Sequence, residues 1–236
     1  MRQPSTYYHA SESAARIQVH QGGSRSGKTW SLLQHVIDFC YHNEDAGAVI
    51  TICRKTYPAL RASVMRDFFT ILEQQEIYIP SLHNKSQSLY KLFGNIVEFI
   101  SLDQSSKVRG RKRDLLFINE ANELTLEDWR QLILRTTGRI IIDFNPSDEF
   151  HWIYDSVIPR DDSDFFQTTY KDNPFLEQSV IDEIERFKDV DENFWRVYGL
   201  GEKGVNRSAV LTHWKQVKSI PDGFKLMNYG LDFGYT

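Results

Sequence analysis

The stretch Gly-Gly-Ser-Arg-Ser-Gly-Lys-Thr, residues 22–29, decides the fold. It matches the pattern GxxxxGK(S/T) in full, between a predicted strand at residues 17–20 and a predicted helix at residues 29–41. A glycine-rich turn in this setting lets backbone N–H groups converge on phosphate oxygens, and the helix N-terminus adds its positive end. We predict that the phosphates of ATP are bound by Gly22, Gly23, Ser24, Arg25, Ser26, Gly27, Lys28 and Thr29.

Three side chains of this loop have individual roles. Lys28 is predicted to reach the β- and γ-phosphates, and the Thr29 hydroxyl to bind Mg²⁺. Arg25 is interpreted as a stabiliser of γ-phosphate charge in cis, and the alternative is an exposed loop arginine. No residue is assigned to the adenine base; the candidates in the right region of the chain are Tyr7, Tyr8 and Gln21.

A second motif closes the apolar run Leu-Leu-Phe-Ile at residues 115–118, which Asn119 and Glu120 follow. In nucleotide hydrolases, such a strand ends in acidic residues that hold Mg²⁺ and prime water. Asn119 occupies the position of the usual aspartate, and we expect it to act on Mg²⁺ through a metal-bound water. Glu120 is the predicted general base, because a carboxylate at the end of a buried strand needs a partner or a function. Glu123 is interpreted as a surface or capping residue.

A third polar group follows the apolar run of residues 139–144, where the chain reads Asp-Phe-Asn-Pro at residues 143–146. Polar side chains at the carboxyl ends of parallel strands face the nucleotide crevice. Asn145 is therefore predicted to sense the γ-phosphate and to couple its loss to motion. The alternative is that Asn145 only begins a turn.

The segment of residues 107–113 carries five basic side chains in seven positions. Three interpretations stay open: a solvated loop, a contact to DNA phosphates, or the source of an arginine inserted into a neighbouring subunit's active site. Arg109 is the residue we assign to that role in trans.

Composition excludes several classes of protein. The chain has 236 residues, 41% of them hydrophobic and 25% charged, which excludes disorder, and no apolar run is long enough to span a membrane. Its net charge of −4 argues against a protein that simply coats nucleic acid. Cys40 and Cys53 have no metal-site spacing and are interpreted as reduced core residues of a cytosolic protein.

Strands alternate with helices over the first two thirds of the chain, which predicts an α/β fold with a mostly parallel sheet. The predicted order is an ATPase core at residues 1–148, a more helical segment at 149–198 and a linker at 199–207. From residue 208 the chain leads to a new strand at 226–233. We expect the chain to be the N-terminal piece of a longer protein.

The motifs, in this order, resemble the large terminase subunit of tailed bacteriophages, the ATPase–nuclease that packages DNA. The resemblance rests on GGSRSGKT, on VRGRKRDLLFINEANEL at residues 108–124 and on IIIDFNP at residues 140–146. It also covers TTYKDNPFL at 168–176, FWRVYGLGEKG at 194–204 and NYGLDFGYT at 228–236. The last of these is similar to the first strand of an RNase H-like nuclease domain, with Asp232 as its first metal-binding carboxylate.

The resemblance implies a RecA-like ATPase core of the additional-strand, catalytic-glutamate type with a small lid subdomain, followed by the beginning of a nuclease domain at residues 208–236. The implied cofactors are ATP and Mg²⁺. Asn119 departs from the family pattern, which puts its direct Mg²⁺ contact in doubt. Because a two-metal nuclease needs several carboxylates and residues 1–236 supply one, we expect no DNA cleavage by this chain alone.

The implied partners are double-stranded DNA, a portal protein, a small terminase subunit and further copies of the chain, which form a pentameric ring when active. No membrane partner is implied. The implied location is the host cell cytoplasm, without retention in the mature virion. The implied function is an ATP-hydrolysing motor that translocates double-stranded DNA into procapsids.

Two other functions stay open. A RecA-like repair or helicase ATPase shares the phosphate loop and the acidic strand, and stimulation by single-stranded DNA alone would favour it. A nucleotide-dependent assembly module with little turnover is the other, because Asn119 replaces the usual aspartate. A small-molecule kinase is disfavoured, since no acceptor pocket can be read from the sequence.

Overall fold

An eight-stranded sheet runs through the computed structural model, which describes residues 3–103, 112–148 and 151–204. The strands are β1 (Ile17–Gly22), β2 (Val49–Arg54), β3 (His83–Asn84), β4 (Leu89–Leu92), β5 (Asn95–Ser101), β6 (Arg113–Ile118), β7 (Thr136–Phe144) and β8 (Ser163–Thr168). Their spatial order is β3-β4-β5-β2-β6-β7-β1-β8. The six strands from β5 to β8 in that order pair in parallel, whereas β3 and β4 are antiparallel. The predicted α/β fold with a mostly parallel sheet is confirmed.

Helices cover both faces of the sheet. They are α1 (Ser5–Glu12), α2 (Lys28–His42), α3 (Tyr57–Leu60), α4 (Arg66–Gln74), α5 (Leu126–Ile133), α6 (Trp152–Ser156), α7 (Gln178–Val190) and α8 (Glu192–Phe194). A π-helical turn at Arg61–Met65 joins α3 to α4, and a second one at Trp195–Gly199 follows α8. Short 3₁₀ turns lie at Pro80–Leu82, Ala121–Glu123 and Tyr170–Asp172. Among the described residues, no helix is long and apolar enough to cross a membrane.

The apolar strands supply two cores because alternate side chains point to opposite faces. Along β6, Leu115 and Phe117 join the core under α2 and α4, whereas Leu116 and Ile118 join the core that contains Trp129 of α5. Strands buried on both faces read as continuous apolar runs, which is why these segments were recognisable in the sequence.

Strands β4 and β5 form an antiparallel β-hairpin. Phe93 and Gly94 both have positive φ angles, 47° and 75°, as a two-residue hairpin turn requires. Asn95 begins β5, where its amide donates hydrogen bonds to the carbonyl oxygens of Cys40 and Asn43, at 3.0 and 2.9 Å.

Two features of the described residues bear on the predicted domain order. The sheet continues past residue 148, because β8 pairs in parallel with β1. The predicted linker begins with a packed segment: Gly201 and Gly204 are buried, and the amide of Gly204 donates to the carbonyl oxygen of Pro146 at 3.0 Å. The predicted nuclease strand and Asp232 lie outside the described residues.

Candidate nucleotide-binding site

Three neighbouring parallel strands, β6, β7 and β1, end at the same edge of the sheet. Chain order places the phosphate loop after β1, Asn119 and Glu120 after β6, and Asn145 just beyond β7. Parallel strands carry ligands at their carboxyl ends, and the structure brings these predicted groups together at that edge.

The phosphate loop has the backbone of an anion-binding turn. Arg25 and Gly27 have positive φ angles of 65° and 79°, and α2 begins at Lys28 directly after them. Ser26 is buried, and its hydroxyl has no hydrogen-bond partner among the described residues. A buried polar atom of this kind at a helix N-terminus fits a phosphate oxygen.

The first two glycines of the loop are required by the neighbouring backbone. A Cβ atom on Gly22 would lie 2.3 Å from the Thr168 hydroxyl, and one on Gly23 would lie 2.4 Å from the carbonyl oxygen of Tyr198. A Cβ atom on Gly201, whose φ is +65°, would in turn lie 2.7 Å from the Cα atom of Gly22. The segment after α8 therefore rests directly on the start of the phosphate loop.

Lys28 is buried at the centre of the site. Its ammonium donates hydrogen bonds to the side-chain oxygen of Asn145 at 2.6 Å and to the carbonyl oxygen of Gly23 at 3.3 Å. Burial lowers the pKa of Lys28, and the negative charges of Asp143 and Glu120 oppose that shift. Asn145 thus contacts the lysine predicted to bind the γ-phosphate.

Asp143, the penultimate residue of β7, is the hub of the cluster. Its carboxylate accepts hydrogen bonds from the Thr29 hydroxyl at 2.5 Å, the Asn119 amide at 2.9 Å and the backbone N–H of Glu120 at 2.9 Å. The Asn119 amide oxygen is buried and has no partner among the described residues. The group of oxygen atoms around Thr29 fits Mg²⁺, which is usually bound by one or two protein groups together with nucleotide phosphates.

Glu120 lies in the left-handed region of backbone space, with a φ of 52°. Such conformations cost roughly 1–3 kcal/mol and cluster at functional sites. Burial is the main cause that raises the pKa of its carboxyl group, and Asp143 raises the pKa further; Lys28 and Arg54 act in the opposite direction. The side chain is therefore suited to proton transfer nearer neutral pH than an ordinary glutamate.

Of the two arginines predicted to act in catalysis, the structure describes Arg25 but not Arg109. The Arg25 carbonyl oxygen accepts a hydrogen bond from Asn173 at 2.9 Å. Arg25 also borders a small cleft against α7 and the π-helical turn at Trp195–Gly199. Arg109 lies outside the described residues, so its predicted role in trans has no structural description.

Four further residues discussed in the sequence analysis have partners or surroundings away from the phosphate loop. Arg113, counted in the basic segment, is buried in β6 and donates a hydrogen bond to the Thr51 hydroxyl at 3.1 Å, so it is not part of a solvated basic loop. Glu123 pairs with Arg54 through two hydrogen bonds of 2.9 and 3.2 Å, as a surface residue. Cys40 and Cys53 are free and buried, as predicted.

An open cleft of about 450 Å³ lies beside the start of α2. Gly27 connects it to the phosphate loop, and its apolar walls include Pro4, Trp30 and Phe175. Two of the adenine candidates named from the sequence have other partners: Tyr7 donates to the carboxylate of Asp38, and Gln21 donates to the carbonyl oxygen of Gly201 at 2.7 Å. The third, Tyr8, is exposed.

Sequence reasoning missed Asp143. The signal was present, because Asp143 stands beside the predicted sensor at the end of an apolar strand. Its importance depends on register: Ile118 of β6 pairs with Ile142 of β7, so the next residues, Asn119 and Asp143, lie side by side. A single sequence without strand order does not give that pairing.

A phosphate loop, a strand-end glutamate and a buried lysine at one edge of a mostly parallel sheet define a P-loop domain with a RecA-like fold. The phage terminase large subunit family matches residues 14–202. The chain belongs to that family, and the resemblance drawn from its motifs is confirmed.

Relatives of this chain agree with that assignment. The PBSX phage terminase large subunit of Bacillus subtilis (strain 168) is 23% identical over 250 residues, covering 91% of this chain and 57% of the relative. The large terminase of a thermophilic bacteriophage matches with a TM-score of 0.72 and 16% identity, over 85% of this chain and 53% of that one. A further structure of the same thermophilic phage protein is a complex with ADP.

The ATPase domain of the Thermus phage P74-26 large terminase matches with a TM-score of 0.65 and 16% identity, over 85% of this chain and 94% of that one. These structural likenesses show the shared fold. The chain spans 57% of its curated relative and 53% of the thermophilic phage protein, so it corresponds to about half of each.

Proposed function

We propose that this chain is the ATP-hydrolysing motor domain of a DNA-packaging terminase, which translocates double-stranded DNA into procapsids. The observation that carries the proposal is the convergence of the phosphate loop, Lys28, Asn145 and Glu120 at one edge of the sheet in a member of the terminase family. Binding of ATP and its hydrolysis both need groups from several strands, and this edge supplies them.

Phosphate binding follows from the geometry. The loop amides and the N-terminus of α2 face the phosphates, and Lys28 exchanges its hydrogen bond with Asn145 for one with the γ-phosphate. Thr29 would hold Mg²⁺ directly and Asn119 would act on it through a water, and the ion would neutralise charge on the phosphates when bound. Arg25 adds positive charge in cis.

Hydrolysis requires a base on the water side of the γ-phosphate. Glu120 has this role in the proposal, because it follows β6 directly and the field of Lys28 reaches its carboxylate. A positioned general base contributes about 10²–10⁴-fold to such reactions.

Coupling to motion uses two contacts of the described structure. The hydrogen bond between Lys28 and Asn145 breaks when the γ-phosphate binds and forms again when the γ-phosphate leaves. The segment at Tyr198–Gly201 rests on Gly22 and Gly23, so a shift of the loop is passed to the chain that follows. We propose that residues 149–198 include the lid and that residues 199–207 connect it to the beginning of a nuclease domain containing Asp232.

The adenine base is assigned to the apolar cleft beside α2. The cleft is of the size of common ligand sites and offers Trp30 and Phe175 for contact with a planar base. Phe175→Ala should raise the Kd for ATP about tenfold while leaving the affinity for inorganic triphosphate unchanged. An equal loss for both ligands would contradict the assignment.

The proposed partners are double-stranded DNA, a portal protein, a small terminase subunit and a pentameric ring of this chain in the host cell cytoplasm. In that ring, Arg109 of one subunit stabilises the charge that develops at the neighbouring active site. An arginine finger of this kind is worth about 10³–10⁵-fold in turnover.

The test is ATP turnover per subunit against protein concentration, with duplex DNA, with single-stranded DNA and without DNA. If duplex DNA stimulates the motor and Arg109 of a neighbouring subunit completes the active site, turnover per subunit rises with protein concentration and is lost in Arg109→Ala. Concentration-independent turnover that is lost in Arg25→Ala assigns the arginine in cis. Stimulation by single-stranded DNA alone would contradict the packaging role and favour a repair or helicase ATPase.

A nucleotide-dependent assembly module is a second candidate, favoured by one observation. Asn119 is neutral at the position where hydrolases of this class carry an aspartate, and weaker electrostatics there would slow chemistry. Tight ATP binding that drives ring formation in light scattering, without phosphate release, would support the module and contradict the motor.

A further inference from the structure

A nucleotide-bound Mg²⁺ is normally faced by a carboxylate at this edge of the sheet, but the residue at that position here is the neutral Asn119. Asn119 itself cannot supply that charge. Among the described residues, the group that replaces it must lie close enough to Thr29 to act on the same ion.

Asp143 satisfies this condition. It is buried and accepts a hydrogen bond from the Thr29 hydroxyl at 2.5 Å, so it touches the side chain assigned to Mg²⁺. The β6–β7 register puts it beside Asn119, one strand closer to the phosphate loop in the order β6-β7-β1.

The amide of Asn119 is complementary to this carboxylate. Its Nδ2 atom lies 2.9 and 3.3 Å from the two oxygens of Asp143, so the nitrogen must face Asp143 and the amide oxygen must face away. Two aspartates at this separation would repel each other, whereas an asparagine and an aspartate form hydrogen bonds and keep one negative charge.

Two buried oxygen atoms at the same edge have no partner among the described residues. They are the Oδ1 atom of Asn119 and the hydroxyl oxygen of Ser26 in the phosphate loop. Buried polar atoms are normally satisfied, and unpaired ones mark places where a ligand, ion or water completes the site. The two unpaired atoms therefore mark this edge of the sheet as one that a bound group completes.

We infer that Asp143 is the carboxylate that acts with Thr29 on nucleotide-bound Mg²⁺, and that Asn119 positions it. The carboxylate that faces the metal thus lies at the end of β7, where the usual arrangement has it at the end of β6. Glu120, which follows β6, keeps the role of the base. The inference rests on the proposed function, since it assumes that the site binds a nucleotide with Mg²⁺.

The test measures how Mg²⁺ changes the affinity of the full chain for ADP, by titration at fixed ADP with Mg²⁺ or with EDTA. Asp143→Asn should raise the Mg²⁺ midpoint at least about tenfold while leaving Mg²⁺-free ADP binding within twofold. Electron paramagnetic resonance with Mn²⁺ should show loss of the ADP-dependent bound ion. Asp114→Asn, at the opposite end of β6, is the matched control and should behave as wild type.

The exchange variant Asn119→Asp with Asp143→Asn returns the carboxylate to β6. It should recover the Mg²⁺ midpoint to within a few fold of wild type, which Asp143→Asn alone does not. If Asp143→Asn does not fold, Asp143→Glu, which keeps the charge and displaces its oxygen atoms, takes its place and should also raise the midpoint. A wild-type midpoint in Asp143→Asn would overturn the inference, as would an exchange variant with no Mg²⁺ effect. If the wild-type chain binds no ADP with or without Mg²⁺, the proposed function fails, and the inference fails with it.

Discussion

The ends of β6 and β7 lie side by side, yet they carry different chemistry. β6 ends in a neutral amide followed by a glutamate with a raised pKa, whereas β7 ends in a buried carboxylate that accepts hydrogen bonds from three residues. The position that a motif assigns to a carboxylate and the strand that supplies the carboxylate can therefore differ. Either of two adjacent parallel strands can carry the charged residue, because the residues at their ends lie within hydrogen-bond distance of each other.

The largest expected effect is on stability, when each strand end is truncated in turn. Asp143→Ala should lower the free energy of unfolding by about 3 kcal/mol, because it leaves the donors of Thr29, Asn119 and Glu120 without their acceptor and removes a negative charge that favours the buried Lys28 ammonium. Asn119→Ala should cost about 1 kcal/mol, since only a neutral donor is lost. Urea unfolding of the two variants checks the order, and an equal cost would remove the distinction between the strands.

A smaller effect of opposite sign is expected at Glu120. Its folded-state pKa lies above the ordinary value of 4.5, so the favourable contribution of the protonated form is present below that pH and is lost as pH rises. Glu120→Gln should therefore be more stable than wild type at pH 7, by about 0.5–2 kcal/mol. The gain should shrink toward pH 4.5 in thermal unfolding, and a gain independent of pH would contradict the charge argument. Glu127→Gln, an exposed glutamate, is the control.

The smallest effect is a shift of the pH profile of ATP turnover. Asp143 is among the groups that raise the pKa of Glu120, so Asp143→Asn should move the acid limb of kcat/KM to lower pH in its residual activity. Asn119→Asp adds a carboxylate near the same group and should move that limb to higher pH. Shifts of the same sign in the two variants would show that Glu120 does not sense the charge on β7.

Much of this arrangement could be predicted from the sequence. GGSRSGKT and the apolar runs of β6 and β7 predict the α/β fold and the edge of the sheet at which Lys28, Glu120 and Asn145 converge. These signals are local, since each depends on residues within one loop or strand.

The remainder depends on contacts between distant segments. The role of Asp143 follows from the β6–β7 register, and the packed state of Gly201 follows from the backbone of Gly22, far away in the chain. A glycine-rich run is typical of a linker, but here a glycine is needed because two backbones touch. The sheet also includes β8, whose pairing with β1 joins segments that are far apart in the chain.

The most direct test of the account is single-turnover hydrolysis of ATP by the full chain, with protein and Mg²⁺ in excess over nucleotide. We predict that the wild-type chain converts bound ATP to ADP and phosphate, whereas Glu120→Gln binds ATP and leaves it intact. Intact ATP in both proteins would contradict the claim that this edge of the sheet is catalytic. Equal phosphate formation in both would contradict the role of Glu120.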